Sequence, residues 1–365
     1  MSDLKILHAA DLHLDSAFEA LPAGKAALRR SEQRELLRRL AALAQQEKAQ
    51  LVVLSGDLFD SDNSYYETGE QLARCLAVIG APVFIAPGNH DFYASASPYA
   101  LERWPENVHI FTSQTPECVA IPELRLRVWG AAFTGEQAPA LLEGFHVPPS
   151  EDRQIMVLHG DALMGDSPYD PISPAQIAAS GLDYLALGHI HKRSELLHAG
   201  SAAYAWPGCP MGRGYDEAGE KGVFIGELDE SGVRLTFHPL PGRRYERMEI
   251  DAGDDALAAI EAALAGRDTT MHCCRIILTG EAEPVDLSAL HAALDDRFFA
   301  LSLRDETHPR QSLWEDAGAD TLKGILLLDL KAKAAQAATE EERRVIELAA
   351  RYARAALEGR EVPEL

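Results

Sequence analysis

Val83-Phe84-Ile85-Ala86-Pro87-Gly88-Asn89-His90-Asp91 is an apolar run broken by a turn that carries an amide, an imidazole and a carboxylate in succession. Short apolar runs bounded by turn residues read as buried strands, so the polar groups sit just past a strand's carboxyl end. The pattern recurs. Asp11-Leu12-His13 follows Lys5–Ala10, Gly56-Asp57-Leu58-Phe59-Asp60 follows Leu51–Leu54, His159-Gly160-Asp161 follows Ile155–Leu158, and Gly188-His189-Ile190-His191 follows Tyr184–Leu187.

The segments between these strands are helical. Leu36, Leu37, Leu40, Leu43 and Ala44 make an amphipathic stripe that starts at Ser31-Glu32-Gln33-Arg34, and Glu67–Ile79 is a helix closed by Gly80. The order β-α-β-α-β predicts a parallel sheet with right-handed crossovers, which brings the three strand carboxyl ends to one edge. Ligands of open α/β sheets bind at that edge. Val108–Phe133 reads as short strands of a second sheet, Pro174–Ser180 as a helix, and Gly222–Leu228 with Val233–His238 as a hairpin. Pro239–Gly242 marks a boundary. Beyond it, Tyr245–Ile250, Asp254–Leu264, Cys274–Thr279, Leu287–Leu294 and Phe299–Arg304 form a second β-α-β-α-β pattern. Thr321–Ala338 and Thr339–Leu357 form a helical pair, the second capped by Thr339 with Glu342 three residues on. The expected domains are residues 1–242, 243–320 and 321–365. Ile325, Leu326, Leu327, Leu328 and Leu330 exceed one buried stripe and read as core or as a surface a partner covers.

Composition narrows the classes. With 365 residues, 47% apolar and 25% charged, the chain reads as an ordinary globular protein of at least two domains. No apolar run reaches the roughly 20 residues of a membrane span, and Met1-Ser2-Asp3-Leu4-Lys5 lacks a signal-peptide pattern, so a cytoplasmic location is expected. Five cysteines without metal-ligand spacing read as reduced thiols. A net charge of −23 repels phosphate backbones, so a nucleic-acid role requires local basic groups or bridging cations.

Asp11, His13, Asp57, Asn89, His159, His189 and His191 offer oxygen and imidazole donors without thiolate, which suits Mn, Fe or Zn. The set is too large for one ion. Two ions roughly 3.5–4 Å apart need a bridge, for which Asp57 is the natural carboxylate, and such a pair clamps a phosphoryl group and supplies hydroxide near neutral pH. His90 adjoins a ligand without being needed as one, so it is the candidate general acid, and Asp60 the candidate partner that orients its ring. Each motif alone is also an ordinary turn or a buried histidine. The signal lies in their joint order at strand ends.

That order resembles the calcineurin-like metallophosphoesterase superfamily over residues 1 to 240. The resemblance implies an α-β-β-α sandwich of two sheets, followed by a small α/β capping domain and C-terminal helices. It implies that Asp11, His13, Asp57 and His191 hold one metal and Asp57, Asn89, His159 and His189 the other, with His90 catalytic and Asp60 its partner. His8-Ala-Ala-Asp-Leu-His-Leu-Asp-Ser16, Trp104-Pro-Glu-Asn-Val-His-Ile-Phe111, Gly188–Arg193, Pro207-Gly208 and Gly219-Glu-Lys-Gly222 are similar to the SbcD-like DNA repair exonucleases of the YhaO type. The chain departs from that pattern at Asp60, where archaeal relatives carry histidine, and at Cys209, where asparagine is expected. The resemblance implies manganese as cofactor, with DNA, an SbcC-like coiled-coil ATPase and a second copy of the chain as partners.

The first functional reading is therefore a two-metal DNA nuclease, exo- or endonucleolytic. Lys192, Arg193, Arg213, Arg243 and Arg244 are its nearest phosphate-contact candidates. A nucleotide phosphodiesterase or phosphatase needs the same metals but not the segment after residue 242. A DNA-end-binding scaffold needs neither His90 nor a full ligand set.

Overall fold

The computed structural model describes residues 3–61, 65–282, 285–309 and 313–357; Met1-Ser2 and the end of the C-terminal segment lie outside the described residues. Its described residues fall into two compact units, one from Met1–Met248, Arg267–Ile276 and His291–Ser302, the other from Glu249–Gly266, Ile277–Leu290 and Leu303–Leu365.

In the first unit, β1 (Leu4–Ala9), β2 (Leu51–Leu54), β3 (Val83–Ile85) and β4 (Val108–Ile110) run parallel, with Ile6 opposite Leu51, Val52 opposite Val83, and Val83 opposite Val108. The helices α1 (Ala23–Gln46) and α2 (Tyr66–Ile79) make the first two crossovers, and Gly80 closes α2 at φ 76°. The short helix α3 (Pro98–Leu101) lies in the third. The second sheet runs β5 (Glu117–Ile121), β6 (Leu126–Gly130), β7 (Arg153–His159), β8 (Tyr184–Gly188), β10 (Ala202–Ala205), β9 (Leu197–Ala199). The hairpin β11 (Gly222–Asp229) and β12 (Gly232–Pro239) returns to the first sheet, pairing antiparallel with β1.

Alternation sorts the side chains into layers. Leu4 and Ile6 of β1 and Val53 of β2 face Ile155, Val157 and Ala186 of the second sheet. Leu7, Ala9 and Val52 face the other way, onto Leu36, Leu37 and Leu40 of α1 and Leu72 and Leu76 of α2. Met156, Leu158 and Leu185 pack on Ile177 of α4 (Pro174–Ser180), whose start is a capping box of Ser173 and Gln176. The result is the expected α-β-β-α sandwich. His8, on β1, spans the two sheets: its ring bonds the Tyr184 hydroxyl (2.8 Å) and the Leu187 carbonyl (3.0 Å). Burial pulls its pKa down to about 3, so it is neutral and structural.

Two readings shift. The first helix begins at Ala23, eight positions before Ser31, because Pro22 at its N-cap (φ −55°) initiates a good helix former that the leucine stripe does not mark. β4 belongs to the first sheet, where it extends the parallel order, and only the strands from Glu117 onward build the second. β9 and β10, short and alanine-rich, have no periodic signature of their own.

Further on, β13 (Tyr245–Asp251), β14 (Cys273–Thr279) and β16 (Ala300–Asp305) form a three-stranded sheet, β15 (Glu281–Ala282) pairs with β17 (His308–Pro309), and α5 (Ala256–Ala263) and α6 (Leu287–Leu294) accompany them. In the second unit α7 (Leu322–Gln336) and α8 (Glu340–Leu357) form the helical pair, and the Thr339 hydroxyl accepts from Glu342 N at 3.1 Å. Leu327 is buried, while Leu322, Ile325 and Leu328 stand more than half exposed, so the apolar run divides between core and surface. No helix among the described residues is long and apolar enough to cross a membrane.

Candidate metal centre

Every motif lands where its strand ends. Asp11 and His13 follow β1, Asp57 and Asp60 follow β2, Asn89 and His90 follow β3, His159 closes β7, and His189 and His191 follow β8. The loops bend sharply there: Asp11 (φ 53°), His13 (44°), Asp57 (50°) and His189 (85°) all sit in left-handed backbone. For non-glycine residues that costs on the order of 1–3 kcal/mol each and occurs where packing over-determines it. Glycine is required beside them by crowding. A Cβ on Gly88 would overlap Asp57 Oδ1, and one on Gly188 would overlap the Ser55 carbonyl.

Asp91 fastens two of these loops. Its Oδ2 accepts from Leu58 N (2.6 Å), Phe59 N (3.1 Å) and the Tyr99 hydroxyl (2.5 Å), and its Oδ1 from Gly88 N (2.8 Å) and Asp57 N (3.3 Å).

The donors gather into two overlapping groups. Asp11, His13, Asp57 and His191 place ligand atoms within 4.8 Å of one another, with the Nε2 atoms of His13 and His191 3.1 Å apart. Asn89 Oδ1 lies 2.9 Å from His159 Nε2 and 3.2 Å from His189 Nδ1. Asp57 Oδ2 stands between the groups, 3.4 Å from His159 Nε2 and 3.7 Å from His13 Nε2. Asp11 Oδ2 is buried without a hydrogen-bond partner. An orphaned carboxylate oxygen among converging imidazole nitrogens fits a hard-to-borderline divalent cation.

The electrostatics agree with that fit. Burial alone would raise Asp57, yet the His159 and His13 rings hold it below the usual carboxylate range. Burial alone would lower His159, yet Asp57 and Asp11 lift it to about 9. Asp57 and Asp11 thus hold a positive charge among them as the His159 imidazolium, in the place a bound cation would take. His189, lowered to about 4 by burial and by the His159 charge, keeps a free lone pair.

His90 is exposed at the rim, its ring edge-on to His13 with centroids 4.9 Å apart. Its backbone N–H donates to Asp57 Oδ1 (3.0 Å) and its Nδ1 to the backbone carbonyl of Asp60 (3.1 Å). Asp60 therefore meets His90 through its main chain. Its carboxylate lies instead 3.1 Å from His13 Nδ1 and accepts from Arg213 Nη1 at 2.7 Å.

One residue of this network, Glu217, carries no mark of a site residue in the sequence, and Arg213 stands there only as a phosphate-contact candidate. Glu217, 6% exposed, takes His191 Nδ1 at 2.7 Å. Arg213 binds Glu217 Oε1 at 2.8 Å as well as Asp60, so its guanidinium is engaged by two carboxylates rather than presented to a phosphate. Arg243 likewise pairs with Glu32 and lies over Phe299, 3.4 Å from the ring centroid. The one signal for Glu217 is its place four residues after an arginine.

Residues 4–193 match the family Calcineurin-like phosphoesterase. The Uncharacterized metallophosphoesterase YhaO of Bacillus subtilis is 29% identical over 337 residues, covering 86% of this chain and 81% of its own length. The DNA double-strand break repair protein Mre11 of Methanopyrus kandleri is 27% identical over 259 residues, 63% of this chain and 55% of its own. A component of the nuclease SbcCD of Bacillus subtilis is 26% identical over 256 residues, 59% of this chain and 64% of its own.

Proposed function

The chain belongs to the calcineurin-like phosphoesterase family, and from that premise we propose that it is a two-metal, manganese-dependent phosphodiesterase of the SbcD-like, YhaO type that cleaves DNA in repair. The observation that carries the hydrolytic reading is Asp57 Oδ2 standing between two donor groups with His90 at the rim beside them. The relatives named for DNA repair and nuclease activity support DNA as the substrate.

Asp11, His13, Asp57 and His191 would hold one ion, and Asp57, Asn89, His159 and His189 the other. Bound there, divalent ions supply charge neutralisation at the phosphate and a water of lowered pKa. The chain's own groups do the rest. The Asp60 carbonyl accepts from Nδ1 of His90 and fixes the ring, so Nε2 is the nitrogen that delivers a proton to the departing oxygen. The Asp57 carboxylate, tied to His90 N, keeps that ring in register with the donor groups.

The test is hydrolysis by metal-free protein reconstituted with Mn²⁺, offered linear duplex DNA, nicked DNA and a small chromogenic phosphodiester. The expected result is degradation of linear DNA. Cleavage of the small diester alone would replace the nuclease by a nucleotide phosphodiesterase.

The helical pair supports a partner of the SbcC-like ATPase type. Ile325 of α7 and Val345 of α8 are 63% and 62% exposed, the apolar groups on these helices that such a partner would cover. Ile325→Asp combined with Val345→Asp is expected to abolish co-purification with such an ATPase while sparing hydrolysis of the small diester. Undiminished co-purification removes these helices from the contact.

A further inference from the structure

We propose that Glu217 is a positioning residue: held by Arg213, it fixes the His191 ring and makes the cation position of Asp11, His13, Asp57 and His191 the tighter of the two. This rests on the two-ion reading above and adds an order of loading to it.

The argument starts from the outer nitrogens of the four imidazoles. A carboxylate only accepts, so His191 Nδ1, 2.7 Å from Glu217 Oε1, carries the hydrogen and leaves Nε2 as the lone pair facing His13 and Asp57. His13 Nδ1 also lies near a carboxylate, 3.1 Å from Asp60 Oδ1, but outside hydrogen-bond geometry. Arg213 locks both carboxylates. Its Nη1 donates to Asp60 Oδ1 (2.7 Å), its Nη2 to Glu217 Oε1 (2.8 Å), and its backbone N–H to Glu217 Oε2 (2.7 Å). Two carboxylates against one guanidinium leave a net negative charge behind this position.

The other position lacks that backing. His159 Nδ1 donates to a neutral carbonyl, that of Ser55, at 2.9 Å. The outer Nε2 of His189 is 4.0 Å from Asp161 Oδ2, beyond hydrogen-bond reach. An anionic partner raises imidazole basicity and fixes the ring, and loss of such a partner typically costs about 10–100-fold in metal affinity. Glu217 matters more than its counterparts because His191 is half-buried, outside any strand, and has no other partner for Nδ1 of comparable strength among the described residues.

Titration of metal-free full-length protein with Mn²⁺ by calorimetry tests the assignment. Wild type is expected to show two steps. Glu217→Ala should weaken the tighter step by about 10–100-fold and leave the weaker step in place. Glu217→Gln, which keeps the oxygen acceptor without the charge, should fall between; if the alanine variant does not fold, the glutamine variant decides by the same criterion. A tighter step left unchanged, or both steps weakened alike, overturns the proposal. A wild type that binds a single ion overturns the two-ion reading itself, while two ions bound in one step overturn the proposal, and neither outcome needs a variant.

Discussion

Turnover of a small phosphodiester is expected to fall by about 10²–10⁴-fold in His90→Ala, with bound metal unchanged. The separation of the two effects follows from where the ring lies. His90 is exposed, while the atom that ties it to the donor groups is its backbone nitrogen, 3.0 Å from Asp57 Oδ1, and alanine keeps that bond. What is lost is the imidazole held through Nδ1 by the Asp60 carbonyl. Asp60→Asn should leave this anchor intact, since it is main chain, and should act instead through His13. Turnover within about twofold of wild type in His90→Ala would remove the proton donor from the scheme.

The second large effect is on the ions themselves. Asp57→Ala is expected to reduce bound metal from two ions to none at concentrations that saturate wild type, read by elemental analysis after gel filtration. A removed ligand costs more than the about 10–100-fold of a lost supporting bond, and here one atom serves both groups. Asp57 Oδ2 lies within 4 Å of an imidazole nitrogen from each group, His159 and His13. Asp11 Oδ1 also approaches His159, at 3.9 Å, but it accepts from His189 N. Retention of two ions would refute the bridge. Retention of one would place Asp57 in a single group.

Much of the architecture is legible because the core is simple. Leu51–Leu54 and Tyr184–Leu187 are continuous apolar runs since both of their faces are covered, and a polar group directly after such a run can only lie at the sheet edge. That argument locates seven donors without any knowledge of pairing. It fails where local sequence does not encode a partner. Proximity in the motif assigns Asp60 to His90, but a carboxylate chooses among all nearby donors, and His13 and Arg213 are closer to it in space. Glu217 belongs to a one-turn 3-10 segment, Tyr215–Glu217, with no periodicity, and its meaning comes from His191, 26 positions away. β4 is misplaced by a sequence reading because three residues carry no record of which edge they join.

The Asp91 carboxylate, with four backbone donors from two loops and the Tyr99 hydroxyl of α3, bears on how the proposed DNA substrate would be met. Opening either loop would strand several buried N–H groups at once, each costing about 1–3 kcal/mol. The loops that carry Asp57 and His90 are therefore held stiffly. On the DNA reading proposed above, recognition becomes a question of delivery, in which the strand bearing the phosphate is bent down onto a fixed anvil. That reading then expects a frayed or tapering strand end to be cut in preference to the middle of a stiff duplex, which costs more to bend.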